Sequence, residues 1–504
     1  MKNIINKTII MSLVILSMGA CTKLSENPIG ILAPESFFKT PADAEAAVMG
    51  SYSMLASEFL YGRQLVTTLQ LRGDMCDIGD LGTSSSRVSM NNFFTDSNNG
   101  MNNTVWTTLY TVIGAANNAI DGIPPITMNE DLKNQLISEA KMVRALCYYH
   151  LVQLWGDVPY IGAFVSDPSA IKSISKTSAQ EIYTHIIADC EDGVTYLPDT
   201  YDNGTRSRPT KGTAQTMLSS VYLILKDYAN AAKYSQDVID NASAYGYDLM
   251  EDYQDLWIAD LGDIKEHVWT VDFKGGISGD IYPEGVDYLA AMTGVKGSNM
   301  SGFSVTVPSP GVYASFDDRD YRKKVSFLTE TLVKGVMTPY TEWAIPRIHI
   351  AKWCVSPGSE AAANGSFSSA NYVIFRYAEV LLNAAEAINE ANGSPSAKAY
   401  EYINKVRARA RNYAGTQSDY PADLQAGMSQ SDFRAAVREE RRVELAFEWK
   451  RWYDLKRWDN AVEAFTGPNS YEPRPNFKEE FTLLPLPQPD LDRNPNLLPQ
   501  NPGY

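Results

Sequence analysis

The residues able to carry chemistry are few and scattered. The four histidines are His150, His185, His267 and His349, and none falls in an H-E-x-x-H or H-x-x-x-H pattern. Those spacings would bring two imidazoles onto one helix face to hold a metal. The cysteines Cys76, Cys147, Cys190 and Cys354 lie far apart with no C-x-x-C pair. Neither a zinc site nor a disulfide framework is indicated, and no cofactor or metal is expected. Cys147 and Cys190 sit in apolar helical contexts and read as small core residues. The sequence has no G-x-S-x-G and no phosphate-binding G-x-x-x-x-G-K-[ST]. Asp77-Ile-Gly-Asp80-Leu-Gly has the start of a calcium loop without its later ligands, and reads as a polar turn. With 60 Asp and Glu present, some carboxylate pair at glycosidase separation will always exist, so the count gives a hydrolase no support. No catalytic residue is assigned, and the chain is read as a non-enzyme.

What remains are aromatic rings in polar loops. Sugar recognition needs flat apolar faces for C–H-rich surfaces, with amides, carboxylates or guanidinium groups for the hydroxyls. Residues 72–103 are rich in Gly, Ser, Asn and Asp, which is loop composition. They offer Arg72, Asp74, Arg87, Phe94, Asn98 and Asn102, with Phe93 beside them. A second irregular region offers Tyr282, Tyr288, Tyr340 and Trp343, with Phe303 nearby. These ten, Phe93 and Phe303 aside, are the candidate ligand-binding residues. Any one of them could instead be a partly packed core residue; the argument rests on their number.

The elements that must hold them are mostly helices. Residues from Pro41, from Thr104 and from Glu130 carry apolar side chains at helical spacing. The helix from Glu130 should stop at Gly156, with Pro159 beyond. Ser178 followed by Glu181 opens another. Over 211–242, Leu218, Ser219, Tyr222, Tyr228, Ala231 and Tyr234 fall at tetratricopeptide spacing, with the turn at Lys226-Asp227-Tyr228. A second helix pair spans 375–410. Such repeats bury their faces only against neighbours. The expected fold is mainly α, a tetratricopeptide-like, α-solenoid-like scaffold over about 41–244 and 373–465. An irregular ligand-binding region over about 245–372 interrupts it, with short strands at HVWTVDF and FSVTV. A Pro-rich tail, 466–504, must run extended. The whole of 41–504 is read as one domain.

The N-terminus adds a destination. A short basic start precedes about a dozen apolar residues, too short to span a bilayer, which is a secretory signal over 1–20. It ends Met18-Gly19-Ala20-Cys21, which resembles a bacterial lipobox with Met where Leu is commoner; the other reading is an ordinary cleaved signal with a chance cysteine. Cys21 is the expected lipidation site and 21–40 the tether. The formal net charge is −16; losing Lys2 and Lys7 with the signal leaves −18. That sign disfavours nucleic acid, whose phosphates need a clustered positive field.

One stretch, EERRVELAFEWKRWYDLKRW at 439–458, puts three tryptophans among eleven charged residues. Written as a single helix, it places Leu445, Trp449, Trp452 and Leu455 on one face. Glu440, Arg441, Glu444 and Arg451 lie on the neighbouring one. This predicts an internal packing element rather than a catalytic or nucleic-acid-binding one.

The same stretch resembles the C-terminal signature of the SusD/RagB family of Bacteroidetes outer-membrane lipoproteins. Glu440, Arg441, Arg442, Glu444, Leu445, Ala446, Phe447, Glu448, Arg451, Trp452, Asp454, Leu455, Arg457 and Trp458 match it. So do the runs from Ala145, from Arg376 and from Asn404, the Leu484-Pro485-Leu486-Pro487 tail and the Glu-Asn-Pro start. The resemblance implies a helical, cell-surface nutrient-binding lipoprotein. Such a protein captures glycans, or in some members peptides, and delivers them to a SusC-like TonB-dependent transporter. It does not carry individual site residues onto this chain, because the ligand loops vary. Two other readings stay open: a tetratricopeptide scaffold or lid that binds only the transporter or peptides, and a hydrolase.

Overall fold

The computed structural model describes residues 37–275, 286–359 and 367–504. The expected signal, Cys21, most of the tether and Tyr282 lie outside the described residues.

The scaffold is a set of helices packed against one another. They are α1 (Pro41–Leu55), α2 (Gln64–Arg72), α3 (Ser85–Asn91), α4 (Gly100–Gly122), α5 (Glu130–Trp155), α6 (Ala179–Tyr196), α7 (Lys211–Ile224) and α8 (Tyr228–Asp240). Then come α9 (Tyr377–Asn392), α10 (Ala397–Ala410), α11 (Gln430–Glu444) and α12 (Arg451–Arg457). From α4 to α9 every helix contacts its successor; α1 lies over α4 and α5, and α10 and α11 both lie on α9. The mainly helical, tetratricopeptide-like reading holds. Local chemistry sets the ends. Thr40 accepts from the Asp43 N–H while the Asp43 carboxylate accepts from the Thr40 N–H, opening α1. Asn129 caps α5, which ends at Gly156 with φ 75°, a left-handed region glycine enters freely. Asp227 caps α8 after a turn in which Lys226 has φ 59°. Ser219 and Ser235 meet at 2.6 Å, and the Tyr222 and Tyr234 rings stack at 5.7 Å, which locks the α7–α8 pair. Caps contribute about 1 kcal/mol each. A fully buried large apolar side chain contributes about 1.5–3 kcal/mol. The frame is therefore held chiefly by faces such as that of α5, where Leu146, Leu151, Leu154 and Trp155 are sealed from solvent.

The region between α8 and α9 is built from short pieces. β1 (Cys76–Ile78) pairs with β3 (Thr306–Pro308), and β2 (His267–Val271) pairs with β6 (Tyr372–Arg376), both antiparallel. β4 (Glu330–Val333) and β5 (Val336–Pro339) form a hairpin. The tail is not extended throughout, since it holds a short helix at Gln488–Arg493 and 3-10 turns at Glu479–Thr482 and Pro495–Leu497. Parts of it lie along the end of α5, where the Leu484 N–H donates to the Leu154 carbonyl and the Asn501 amide donates to the Trp155 carbonyl. Residues Thr40–Tyr504 pack as one compact unit.

Two other local expectations are corrected. Residues 72–103 are not a loop: they hold β1 and α3, because their polar side chains are spent internally. Asn91 donates to Asp77, and Asn99 caps α4. The 439–458 stretch is not one helix either. α11 stops at Glu444, Phe447 takes φ 65°, and α12 starts at Arg451. Phe447 is held in the break by Gln70, whose amide donates to its carbonyl, and by the Phe327 ring at 5.3 Å.

The break aims the charges inward at different partners. Glu444, fully buried, accepts from Arg322, Arg376 and Arg409. Glu448 accepts from Arg376 and Lys352, Glu440 from Arg322 and Arg407, and Asp454 from Arg441 and Arg457. Burial pushes the Glu444 carboxyl up, but Arg409, Arg376 and Arg322 outweigh it and hold it well below the carboxylate range. Burial brings Lys352 down to about 8 against the pull of Glu448. Such a network gains little over apolar packing, yet removing one member strands the others at a cost of about 3–5 kcal/mol. Leu445, Trp449, Trp452 and Leu455 are all buried, so the expected packing role of the stretch stands.

Candidate functional site

An open cluster of rings and charges forms where the loop after α1 meets the segment following residue 285. The Tyr288 N–H donates to the Gly62 carbonyl at 2.8 Å. Gly62 is required for this approach, since a Cβ there would lie 2.4 Å from the Val286 carbonyl oxygen. Asp287, buried, accepts from the Leu289 N–H at 2.9 Å and starts the helical turn Leu289–Thr293. Its carbonyl accepts from the Ser368 N–H at 3.3 Å, which fixes Phe367 beside Tyr288. The two rings meet edge to face at 5.4 Å. Burial pushes the Asp287 carboxyl up to about 7. One of its oxygens has no partner.

Polar groups surround this ring pair. The Arg63 guanidinium lies 5.0 Å over the Tyr288 ring and pairs with Glu58. The Tyr288 hydroxyl, half-buried, is pushed up by burial and by Glu58, with Arg63 opposing. Arg87 donates to Thr83 at 2.9 Å and is drawn down by burial and by Arg63, with Glu58 opposing, which sets it near the same pair. A ring face, a ring edge, two guanidinium groups and a carboxylate thus share one surface. That set can take up a C–H-rich face and its hydroxyls without any nucleophile or proton relay.

The residues expected from sequence separate into four fates. Arg87 and Tyr288 belong to this cluster. Phe94, 67% exposed, and Asn98 lie in the turn before α4, and Tyr340 is half-buried after β5. Tyr282 is outside the described residues. Arg72, Asp74, Asn102 and Trp343 are corrections, because each is buried and engaged within the fold. Arg72 lies between the Phe93 and Trp452 rings and donates to the Phe481 carbonyl; burial lowers it to about 10. Asp74 accepts both hydrogen bonds of Arg451 at 2.7 Å. Asn102 donates to the Pro485 carbonyl at 3.0 Å and accepts from the Trp155 indole. The Trp343 indole donates to the Thr338 carbonyl at 2.9 Å, and its ring packs on His349 at 5.0 Å, closing the base of the β4–β5 hairpin. Glu58, Arg63 and Phe367 were missed. Glu58 and Arg63, five apart around a Tyr-Gly pair, were the available signal; nothing in the sequence marks Phe367.

The remaining motifs resolve into structure. Asp77 pairs with Arg347 and Arg474, and Asp80 with Lys296. Burial lowers His150 to about 3 and His349 to about 4, so both imidazoles are neutral packing groups near neutral pH. Among the described residues no group of three or more His, Cys, Asp or Glu could hold a metal ion, and no helix is long and apolar enough to cross a membrane.

Comparison with known proteins places these features. Residues 303–504 match the model of the SusD family, and residues 40–223 match one described as starch-binding and associating with the outer membrane. A SusD-like protein P2 from Formosa agariphila is 46% identical over 503 residues, covering 97% of this chain and 98% of the relative. A solved SusD homologue from Bacteroides thetaiotaomicron superposes with a TM-score of 0.82 at 23% identity, over 94% of this chain and 98% of the other. A laminarin-binding SusD-like protein superposes at 0.77 with 24% identity, over 93% and 100%. With a relative this similar along nearly its full length, and the charged 439–458 stretch forming the heart of the fold, the chain belongs to the SusD family.

Proposed function

We propose that this protein is a lipid-anchored outer-membrane protein that captures glycan on the cell surface and delivers it to a SusC-like TonB-dependent transporter. Cys21 is the proposed anchor. The observation that carries the reading is the half-buried Tyr288–Phe367 ring pair with Arg63, Glu58 and Arg87 around it. Support comes also from the description of the matched family model as starch-binding and associating with the outer membrane, and from the laminarin-binding neighbour. The sugar ring stacks on Tyr288, and the guanidinium groups and Glu58 take its hydroxyls. No bond is made or broken, so affinity and release are all the site must supply.

A glycan array followed by isothermal titration tests this. A hit that weakens in Tyr288→Ala supports the ring pair as the site. An array without hits, together with co-purification of the transporter, would favour the scaffold reading instead. New reducing ends from a polysaccharide panel would favour a hydrolase.

A further inference from the structure

A second concavity lies on other elements, between α8, α9, α11 and the end of α12. It is open and encloses about 310 Å³, at the small end of ligand sites. Its walls include Tyr228, Arg434, Arg438, Trp458 and Glu390. We propose that this concavity is an anion subsite that takes the carboxylate or sulfate of one acidic sugar unit.

The argument starts from charge. Four cations line the space, Lys226, Arg434, Arg438 and Arg457, against two carboxylates, Glu390 and Asp459. Lys226 pairs with Asp459, and Arg434 with Glu390. Arg457 is satisfied from behind by Glu386 and Asp454. Arg438 is left over. Its guanidinium lies 4.8 Å over the Trp458 ring, its Nε is sealed from solvent without a partner, and among the described residues no carboxylate forms an ion pair with it. In a chain of net charge −16, with acids in excess, an unpaired guanidinium facing a cavity is conspicuous.

The geometry matches an oxyanion. Burial first, and the like charges of Arg457 and Arg434, disfavour the charged Arg438, with Glu386 and more weakly Glu390 opposing; an incoming anion would add to that relief. A guanidinium presents a planar fork that fits the two oxygens of a carboxylate or sulfate. Tyr228 supplies a half-buried ring on one wall, and the volume suits one monosaccharide rather than a chain. The anion site stands on this geometry alone; that its anion is borne by a sugar rests on the carbohydrate reading above.

The test uses the full mature chain. Crystals soaked in sodium selenate are examined for anomalous scattering, and glucuronate and glucose are titrated calorimetrically at low salt. Wild type, Tyr288→Ala, and Tyr288→Ala combined with Arg438→Gln or Arg438→Lys are compared. Selenate should appear within hydrogen-bonding reach of Arg438. With the proposed neutral-sugar platform removed by Tyr288→Ala, glucuronate should bind whereas glucose does not, and glucuronate should weaken about tenfold or more when Arg438→Gln is added and less when Arg438→Lys is added. Equal glucuronate affinity with and without Arg438→Gln in that background, glucose binding there as well as glucuronate, or no selenate in the concavity would overturn the proposal. Selenate without glucuronate binding would overturn its sugar part. Failure of the neutral-glycan array would leave the selenate result standing, so the two readings fail separately.

Discussion

The 439–458 segment and the Tyr288 cluster invert the usual placement of their residue types. The first is among the most charged stretches of the chain, and its charges are inside: Glu440, Arg441, Glu444 and Asp454 are all buried. The second is built on aromatic rings, and these remain open to solvent, half-buried at Tyr288 and Phe367. The difference is one of partners. The buried charges of 439–458 meet opposite charges, some within the segment, as Asp454 meets Arg441, and some far away in sequence, as Glu444 meets Arg322 and Arg376. The Tyr288 ring packs partly against the core, is contacted by Arg63 over its face and by Phe367 at one edge, and remains half-buried. Polarity alone does not decide burial; whether the fold supplies a complement does.

The largest effect should come from breaking the buried side of this contrast. Glu444→Ala leaves Arg322, Arg376 and Arg409 without their shared carboxylate and should cost about 3–5 kcal/mol in denaturant unfolding. A loss below about 1 kcal/mol would show that the network is ornamental. Trp343→Ala should cost about 3 kcal/mol by opening a cavity under the β4–β5 hairpin, and should leave glycan affinity unchanged. Weakened binding with unchanged stability would return Trp343 to the ligand site.

Asp287 joins the two regions, being a buried acid beneath an exposed site. Its folded pKa of about 7 lies above the ordinary carboxylate value. The fold therefore binds more protons at this position than the unfolded chain does. Its contribution to stability is fully present at low pH and is lost as pH rises through about 7. Asp287→Asn, which keeps an acceptor for the Leu289 N–H, should stabilise the protein at pH above that value, and the gain should shrink toward acid. Equal effects at both ends of the pH range, measured by thermal unfolding, would mean the carboxyl is not perturbed.

Much of the frame was legible because it rests on local periodicity. The α7–α8 pair follows from Tyr222, Ala231 and Tyr234 and from the Lys226–Asp227 turn, and β2 from the short β-like run HVWTVDF. The break at Phe447 was not legible, because Gln70 and Phe327, far away in sequence, hold it. The site was half legible for a related reason. Loop composition found Tyr288 and Arg87, but it equally nominated Arg72 and Asn102, whose polar groups turn inward to the Phe481 and Pro485 carbonyls of the tail. A Gly- and Asn-rich stretch signals irregular backbone, not exposure. Phe367 enters only through the Asp287–Ser368 bridge, a contact no spacing rule contains.

The most direct measurement is a paired titration and unfolding experiment on wild type and Tyr288→Ala, with the glycan-array hit as ligand. The account predicts a loss of about tenfold or more in affinity, the worth of one stacked ring, with the unfolding midpoint essentially unmoved. Undiminished affinity in a folded variant would contradict it and place glycan capture elsewhere on the molecule.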